Sequence, residues 1–340
     1  MRLLSASLAI CFALGLTISA QGQNVSIAAC GDVLLDRGVA AEIRQHGVTY
    51  PFSHVRSTLR KADIAFANLE CPLVSGGIPV VKKFTFHVNP TSAACLNDAG
   101  LDILSVANNH TLDYGRSGLV QTMDTLGRHK LAWCGAGKSL ADATKPTIRV
   151  IHGVRVAFVG FCDFVPVGVF LRDDRPTQVM ASEENIRQSI ALARQEADVV
   201  VASFHWGIEF SPRPSDRQRH LGRYAAKCGA DLVLGHHPHV LEGFEIARNG
   251  SRRTLIAYSL GNFVFDQRLG FNHDRESTLI LNVILSKSGL VSASFLPAVI
   301  DHCAPTPATG ADAMRIESRL KQLSAELNTK VEGNQIRFNE

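Results

Sequence analysis

Short apolar runs that end in polar, turn-forming residues recur along this chain. The clearest is Leu101 to Ala107, which is apolar and β-branched enough for a buried strand. Asn108 to Gly115 follow directly and carry amide, imidazole and carboxylate groups. In open α/β sheets ligands bind outside the carboxyl ends of the strands, so this placement favours chemistry over packing.

Further segments repeat the pattern of a strand with a polar end. Predicted strands over 24–29, 63–67, 198–204, 231–234 and 255–260 each run into polar or turn-forming residues. Helical spacing predicts helices over 91–99, 118–129, 182–197 and 217–228. Ser182 with Glu183 and Glu184 is typical of a helix start, since these residues cap the chain and oppose the helix dipole.

The last third of the chain changes its period. Strands are predicted over 277–285 and 290–296, joined by a turn at 287–289 with no helix between them. A hairpin is also predicted over 148–161, around Gly153. Alternating βα units together with hairpins predict a layered α/β sandwich with mixed sheets, which we assign to one domain over residues 24–300.

The N-terminal residues 1–22 have the layout of a secretory signal peptide. Arg2 precedes an apolar run from Leu3 to Ile18, and the small residues that follow allow cleavage after Ala20 or Gly22. The protein is therefore expected in the periplasm or outside the cell. The alternative is an uncleaved segment that anchors it to the membrane.

Residues 301–340 are predicted to form a linker and a docking helix. The Pro-rich stretch from Ala304 to Pro307 suits a linker. Near-helical spacing of apolar residues over 311–327 predicts a helix that packs on the domain through Met314, Ile316, Leu320, Leu323 and Leu327.

Composition removes several classes of function. The formal net charge is +4, aromatic residues make up 7%, and no cluster of Lys and Arg alternates with them, so a nucleic-acid surface is not predicted. Seven cysteines follow residue 22, none in a CxxC motif, which argues against a disulfide framework but leaves one bridge open. No GxSxG motif is present, and residues 135–139 lack P-loop spacing.

The polar groups at the strand ends form a mixed set of oxygen and nitrogen ligands, which suits Mn²⁺, Fe or Zn²⁺. Two divalent ions about 3.5–4 Å apart require a bridging carboxylate or amide and several terminal ligands, and the chain offers such a set. The predicted metal ligands are Asp32, Glu70, Asn109, His205, His237 and His239.

Histidines near this set have different expected roles. His110 directly follows Asn109 and is the candidate catalytic residue, which would donate a proton to the leaving oxygen or stabilise its charge. His237 and His239 are separated by Pro238, which stiffens a turn in which two imidazoles can converge. For His236, a structural role and a role in the site both remain open.

Other polar or aromatic residues near the strand ends are assigned to contacts with substrate. Each assignment has an alternative. Trp206 would instead pack in the core, Glu209 would pack or lie at the rim of the site, and Asp266 would fix a loop. The substrate-contact set is Asn68, Asp113, Trp206, Glu209 and Asp266.

Six motifs, in order along residues 25–268, resemble the CapA family of bacterial capsule and poly-γ-glutamate synthesis proteins. Their order makes the resemblance specific. The motifs span 31–35 (GDVLL), 68–70 (NLE), 107–115 (ANNHTLDYG), 205–209 (HWGIE), 235–240 (GHHPHV) and 259–266 (SLGNFVFD).

This resemblance implies a metallo-dependent phosphatase-like fold, a four-layer α/β/β/α sandwich with two metals at strand ends. It matches Asp32 to the first aspartate of calcineurin-like phosphoesterases and Asn109 and His110 to their GNH motif. It also matches His205, His237 and His239 to their metal-binding histidines. Two positions depart from that pattern: Leu34 stands where a ligand histidine is expected, and Asn68 or Glu70 must replace the bridging aspartate.

Two functions from different classes follow. The first is an exported, metal-dependent phosphoesterase of capsule or polymer synthesis that hydrolyses a phosphate ester with activated water. The second is a non-catalytic accessory protein that binds an anionic polymer within a capsule synthesis or export assembly. Membrane-bound synthase subunits are the partners implied in either case.

Overall fold

Two mixed β-sheets packed face to face form the body of the molecule. The computed structural model describes residues 24–267 and 273–338, so the predicted signal segment lies outside the described residues. Within these ranges the first sheet has ten strands, the second six, and a small third sheet two. No helix among the described residues is long and apolar enough to cross a membrane.

The first sheet follows the order β17-β18-β15-β14-β1-β2-β3-β4, with β13 beside β1 and β16 beside β15. Strands β1 to β4 are parallel, whereas β14 and β15 are antiparallel to their neighbours. Its strands are β1 (Val25–Val33), β2 (Ile64–Leu69), β3 (Ile103–Ser105), β4 (Ala132–Cys134), β13 (Asn262–Val264), β14 (Ser277–Ser286), β15 (Gly289–Asp301), β16 (Ala304–Pro307), β17 (Lys330–Glu332) and β18 (Gln335–Arg337).

The second sheet follows the order β11-β12-β10-β9-β7-β6, with antiparallel strands at both edges of a parallel centre. Its strands are β6 (Thr147–Ile151), β7 (Val154–Cys162), β9 (Val199–His205), β10 (Leu232–His236), β11 (Phe244–Asn249) and β12 (Arg252–Ala257). The small sheet pairs β5 (Ala136–Gly137) with β8 (Thr177–Gln178).

Helices cover the outer faces of both sheets, except the last helix, which packs against the core between them. In the described part of the chain, short 3₁₀ segments accompany the helices at Tyr50–Phe52, Pro90–Ser92 and His273–Arg275. The helices are α1 (Arg37–His46), α2 (Arg56–Leu59), α3 (Ala93–Ala99), α4 (Gly115–Arg128), α5 (Leu140–Ala143), α6 (Glu183–Glu196), α7 (Asp216–Cys228) and α8 (Gly310–Ala325).

Alternation along the strands divides the core into three apolar layers. In β1, Ile27 packs toward the second sheet, whereas Ala28 packs toward the helices on the outer face. In β7, Phe158 packs between the sheets and Val159 toward α6 and α7. Because successive side chains of a strand point to opposite faces, each sheet is apolar on both sides. The fold is therefore a four-layer α/β/β/α sandwich with mixed sheets.

Pairing within each sheet brings the polar strand ends level with one another. Asp32 of β1 is the register partner of Asn68 in β2. His205 of β9 is the register partner of His236 in β10. The carboxyl ends of the two parallel regions thus present their side chains at neighbouring positions.

The C-terminal region differs from the prediction in two respects. Residues 304–307 form edge strand β16, antiparallel to β15, rather than a linker. An edge strand tolerates Pro305 and Pro307 because it pairs on one side only. Met314 is 62% exposed, whereas Ile316 and Leu320 are buried between the sheets, so the apolar face of α8 is narrower than predicted.

Candidate metal centre

Buried carboxylate and imidazole groups from both sheets converge at the strand ends. The ligand atoms of Glu70, His205 and His237 lie within 4.8 Å of one another, as do those of Asp32, Glu70 and His239. Glu70 Oε1 lies 3.9 Å from His205 Nε2 and 3.7 Å from His239 Nε2. Glu70 therefore belongs to both groups, which is the position of a bridging ligand between two ions.

The environment of Glu70 fits a cation. The side chain is fully buried, and within the described part of the chain neither carboxylate oxygen accepts a hydrogen bond. Burial and the neighbouring Asp32 carboxylate raise its pKa well above the usual range. A buried carboxylate without a partner is costly, and a bound cation would remove that cost.

Asp32 is held as an anion by groups around it. Asn68 Nδ2 donates to its Oδ1 at 2.8 Å, and the His237 backbone N–H donates to its Oδ2 at 3.1 Å. Burial opposes ionisation, but the imidazoles of His236 and His239 outweigh this effect and hold the pKa of Asp32 well below its usual range. Asp32 thus presents a charged oxygen at the centre.

Two of the predicted ligand histidines are neutral, and the third is oriented by a hydrogen bond. Burial lowers the pKa of His205 well below its usual value and that of His237 to about 3, so both imidazoles keep a lone pair for a metal. His239 Nδ1 donates to Asn262 Oδ1 at 2.8 Å, which turns Nε2 toward Glu70. His237 and His239 adopt φ angles of 96° and 60°, a backbone strain typical of functional sites.

Asn109 and His205 are both predicted metal ligands, and the structure places their side chains next to each other. Asn109 Oδ1 lies 3.0 Å from His205 Nε2, so the predicted ligand atoms of the two residues face each other. His236, by contrast, lies 3.4 Å from Asp32 Oδ1 through Nδ1 and is absent from both ligand groups. Its position favours support of Asp32 over binding of metal.

His110 lies next to the centre and is held by a buried ion pair. Its Nδ1 donates to Asp113 Oδ2 at 2.8 Å, and its ring stacks on Phe86 with centroids 4.1 Å apart. Lys82 forms an ion pair with Asp113 and donates to the Asn109 carbonyl at 2.8 Å. Burial lowers the pKa of His110, against the effect of Asp113. The imidazole is thereby fixed, and no hydrogen bond from a described residue engages its Nε2.

The structure contradicts three of the assigned substrate contacts. Asn68 is fully buried and its amide is engaged by Asp32, Asn108 and His205, so it supports ligands. Asp113 is buried against His110 and Lys82 and orients them. Trp206 is fully buried, stacks on Phe204 and donates to the Tyr258 carbonyl, because the side chain points into the core under α7.

Glu209 and Asp266 line a cleft of about 460 Å³ that begins at His110 and His239. Most residues that line this cleft were not predicted from the sequence. The roles of Lys82 beside Asp113 and of Asn262 beside His239 were not predicted either. Lys82 lies in an irregular segment and is adjacent to the exposed Lys83, so no local pattern separates the two. The missed lining residues are Arg37, Lys83, Phe84, Phe86, Phe210, Phe265 and Arg275.

Residues 26–267 match the family described as bacterial capsule synthesis protein PGA_cap. The chain belongs to this family. The resemblance inferred from the order of the six motifs is therefore confirmed. The matched region contains every residue of the centre described above.

Two relatives of this PGA_cap family member are similar over most of their length. The PGA biosynthesis protein CapA of Bacillus subtilis (strain 168) is 34% identical over 313 residues, covering 91% of this chain and 80% of the relative. The capsule biosynthesis protein CapA of Bacillus anthracis is 30% identical over 309 residues, covering 88% and 74%. The crystal structure of a 5'-nucleotidase precursor from Thermus thermophilus has 11% identity and a TM-score of 0.48, covering 90% of this chain and 59% of that chain.

Proposed function

We propose that this protein is a metal-dependent phosphoesterase that acts in the synthesis of capsule or of poly-γ-glutamate. The role in capsule synthesis is supported by the family and by the names of the two Bacillus relatives. The phosphoesterase activity is supported by one observation above all. The buried Glu70 is shared by two ligand groups, and the oriented His110 lies beside them.

Two divalent ions would be held by residues of both sheets. Asp32, Glu70 and His239 form one group, and Glu70, His205 and His237 form the other. This set of carboxylates and imidazoles suits Mn²⁺, Fe or Zn²⁺. Such ions, when bound, polarise phosphoryl oxygens and make hydroxide available at neutral pH.

His110 would act on the leaving group of a bound phosphate ester. Asp113 accepts its Nδ1–H, so Nε2 is the atom that can face substrate. An incoming phosphate dianion favours the imidazolium and opposes the effect of burial on the pKa of His110. The imidazolium would then donate its Nε2 proton to the leaving oxygen.

The test compares hydrolysis of 4-nitrophenyl phosphate and bis(4-nitrophenyl) phosphate by wild type and His110→Asn, with Mn²⁺ present. We expect kcat to fall about 10²- to 10⁴-fold in the variant while the metal content per chain stays unchanged. His129→Asn, outside the centre, serves as a matched control and retains wild-type turnover. Equal turnover in wild type and His110→Asn would exclude His110 from the reaction.

One observation favours the alternative of a non-catalytic accessory protein that binds an anionic polymer. Leu34, at the position where the phosphoesterase pattern has a ligand histidine, is fully buried in the core beneath the helices. One of the two proposed ions would therefore have one imidazole ligand fewer than in the phosphoesterase pattern. A folded wild-type sample that binds metal but hydrolyses neither ester with Mn²⁺, Fe²⁺ or Zn²⁺ would favour this alternative.

Export is inferred from the N-terminal sequence. Arg2 and the apolar run that follows support a signal peptide. Cleavage after Ala20 or Gly22 would leave β1 intact, because this strand begins at Val25. N-terminal sequencing of the protein from cell fractions tests this inference, and an intact Met1 in the membrane fraction would instead indicate an anchor.

A further inference from the structure

A cleft with aromatic walls leads away from the metal centre on the side of His110. Phe86 stacks on His110, and Phe265 lies 5.1 Å from the His239 ring by centroids. Phe210 lies 6.0 Å from that same ring. Because His110 faces the leaving oxygen under the proposed function, this cleft is where the leaving group would lie.

The guanidinium groups of two arginines lie over the faces of these rings. The Arg37 guanidinium lies 4.8 Å from the Phe86 centroid and 5.6 Å from that of Phe265. The Arg275 guanidinium lies 3.6 Å from the centroid of Phe210. Contact with a ring face limits the freedom of a guanidinium without using its N–H donors, so both groups are preorganised for binding.

The two arginines differ in their remaining partners. Arg37 forms an ion pair with Asp266 on the wall of the cleft. Arg275 is half-buried, and among the described residues no carboxylate forms an ion pair with it. A half-buried guanidinium whose donors are not engaged by a described carboxylate is suited to bind a carboxylate or phosphate oxyanion from a ligand.

We propose that the cleft binds the leaving group of the substrate and that Arg275 recognises an oxyanion, a carboxylate or a phosphate, on that group. The substrate class is thus a phosphate ester whose leaving group has an apolar part between phenyl rings and a second negative charge beyond it. This inference rests on the proposed function, since it places the leaving group next to His110. Glu209, on the same wall, would repel that second charge.

The experiment uses three matched esters with Mn²⁺-loaded full-length protein. 4-Carboxyphenyl phosphate and 1,4-phenylene bisphosphate carry a second anionic group on the leaving group. 4-Carbamoylphenyl phosphate replaces the carboxylate of the first with an uncharged amide of similar shape and is called the neutral ester. We expect wild type to prefer an anionic ester over the neutral one by about 10- to 100-fold in kcat/KM. The better of the two anionic esters identifies the oxyanion.

Two variants with opposite effects make the test independent of folding. Arg275→Gln should reduce the preference to near one, and Glu209→Gln should increase it. Arg175→Gln, on an exposed arginine outside the cleft, should retain the wild-type ratio. Equal kcat/KM for charged and neutral esters in wild type, or an unchanged ratio in Arg275→Gln, would overturn the inference.

Failure of the proposed hydrolysis gives a different result. If no ester is cleaved, the same three compounds serve as stable ligands, and calorimetry measures their dissociation constants with wild type and the variants. A preference for an anionic ester that Arg275→Gln loses would still support the oxyanion subsite. Equal affinities for the charged and neutral compounds would overturn it.

Discussion

At the scale of single residues, two buried glutamates have different roles because their neighbours differ. Glu70 faces two imidazoles and Asp32, an arrangement suited to a cation. Glu242 accepts one hydrogen bond, from Gln218 Nε2 at 2.7 Å, within the described structure. Burial raises the pKa of Glu242 to about 8, and neither ligand group found among the described residues includes it.

Glu242 should make stability depend on pH. In the unfolded chain this carboxyl ionises near pH 4.5, whereas in the folded protein it stays protonated to about pH 8. Between these pH values the unfolded state therefore binds fewer protons than the folded state. The contribution of Glu242 to stability is present below pH 4.5 and is lost as the pH rises through 8. Glu242→Gln keeps an acceptor for Gln218 but cannot ionise.

Urea denaturation at pH 5 and pH 8.5 measures this effect. We expect the advantage of Glu242→Gln over wild type to be larger at pH 8.5, by on the order of 3 kcal/mol. The exposed Glu184→Gln should show the same small difference at both values. A pH-independent advantage of Glu242→Gln would show that its carboxyl is already ionised in the folded protein.

At the scale of elements, glycines allow the strands that carry the ligands to lie close to neighbouring backbone. A Cβ on Gly31 of β1 would lie 2.0 Å from the Gly261 carbonyl oxygen, and one on Gly235 of β10 would lie 1.8 Å from that of Tyr258. The backbone N–H of Asp32 donates to that same Gly261 carbonyl at 3.0 Å. These contacts fix where Asp32 and the turn after β10 lie.

Gly31→Ala should therefore shift β1 and weaken metal binding. The backbone must move to relieve the contact with Gly261, which displaces the neighbouring Asp32. We expect Mn²⁺ affinity to fall at least about tenfold and stability by about 1–3 kcal/mol. Calorimetric titration and urea denaturation measure the two effects, and Gly76→Ala, where no described atom lies within 4 Å of the added Cβ, should change neither.

At the scale of the whole molecule, the candidate metal centre lies where the two sheets meet. Asp32 lies in β1 of the first sheet and Glu70 directly follows β2, whereas His205 ends β9 of the second sheet and His237 directly follows β10. Between the sheets, apolar packing is the main contact. Ions bound at their common edge would therefore stabilise the sandwich as a whole, because they bind the folded state alone.

Thermal unfolding with and without Mn²⁺ tests this coupling. At about 100 times the dissociation constant the stabilisation is about 2.7 kcal/mol, which corresponds to a rise in Tm of about 4 °C for a chain of this length. Glu70→Gln should abolish the rise, since this residue serves both groups. His237→Gln should keep about one ion per chain in elemental analysis, and two ions retained in Glu70→Gln would contradict a shared carboxylate.

The sequence by itself determined the layered α/β architecture, the family and the strand-end position of the residues predicted to bind metal. These features are local: strand alternation, turn chemistry and motif order are all visible along the chain. Predictions from these local patterns were wrong where the same residues are compatible with two environments, such as a substrate site or the core, and a linker or an edge strand. Trp206 follows a ligand histidine, yet its side chain lies in the core, and residues 304–307 have the composition of a linker but pair with β15.

Only the tertiary structure decided which carboxylate is shared, which lysine supports His110, and how the cleft is lined. Glu70 is central because the packing of the two sheets brings imidazoles at the strand ends of the second sheet against a carboxylate that follows a strand of the first, and no sequence spacing encodes that meeting. Lys82 and Arg275 are distant in sequence from the groups they approach. Proximity between remote segments depends on the packing of whole layers, which a pattern along one segment does not contain.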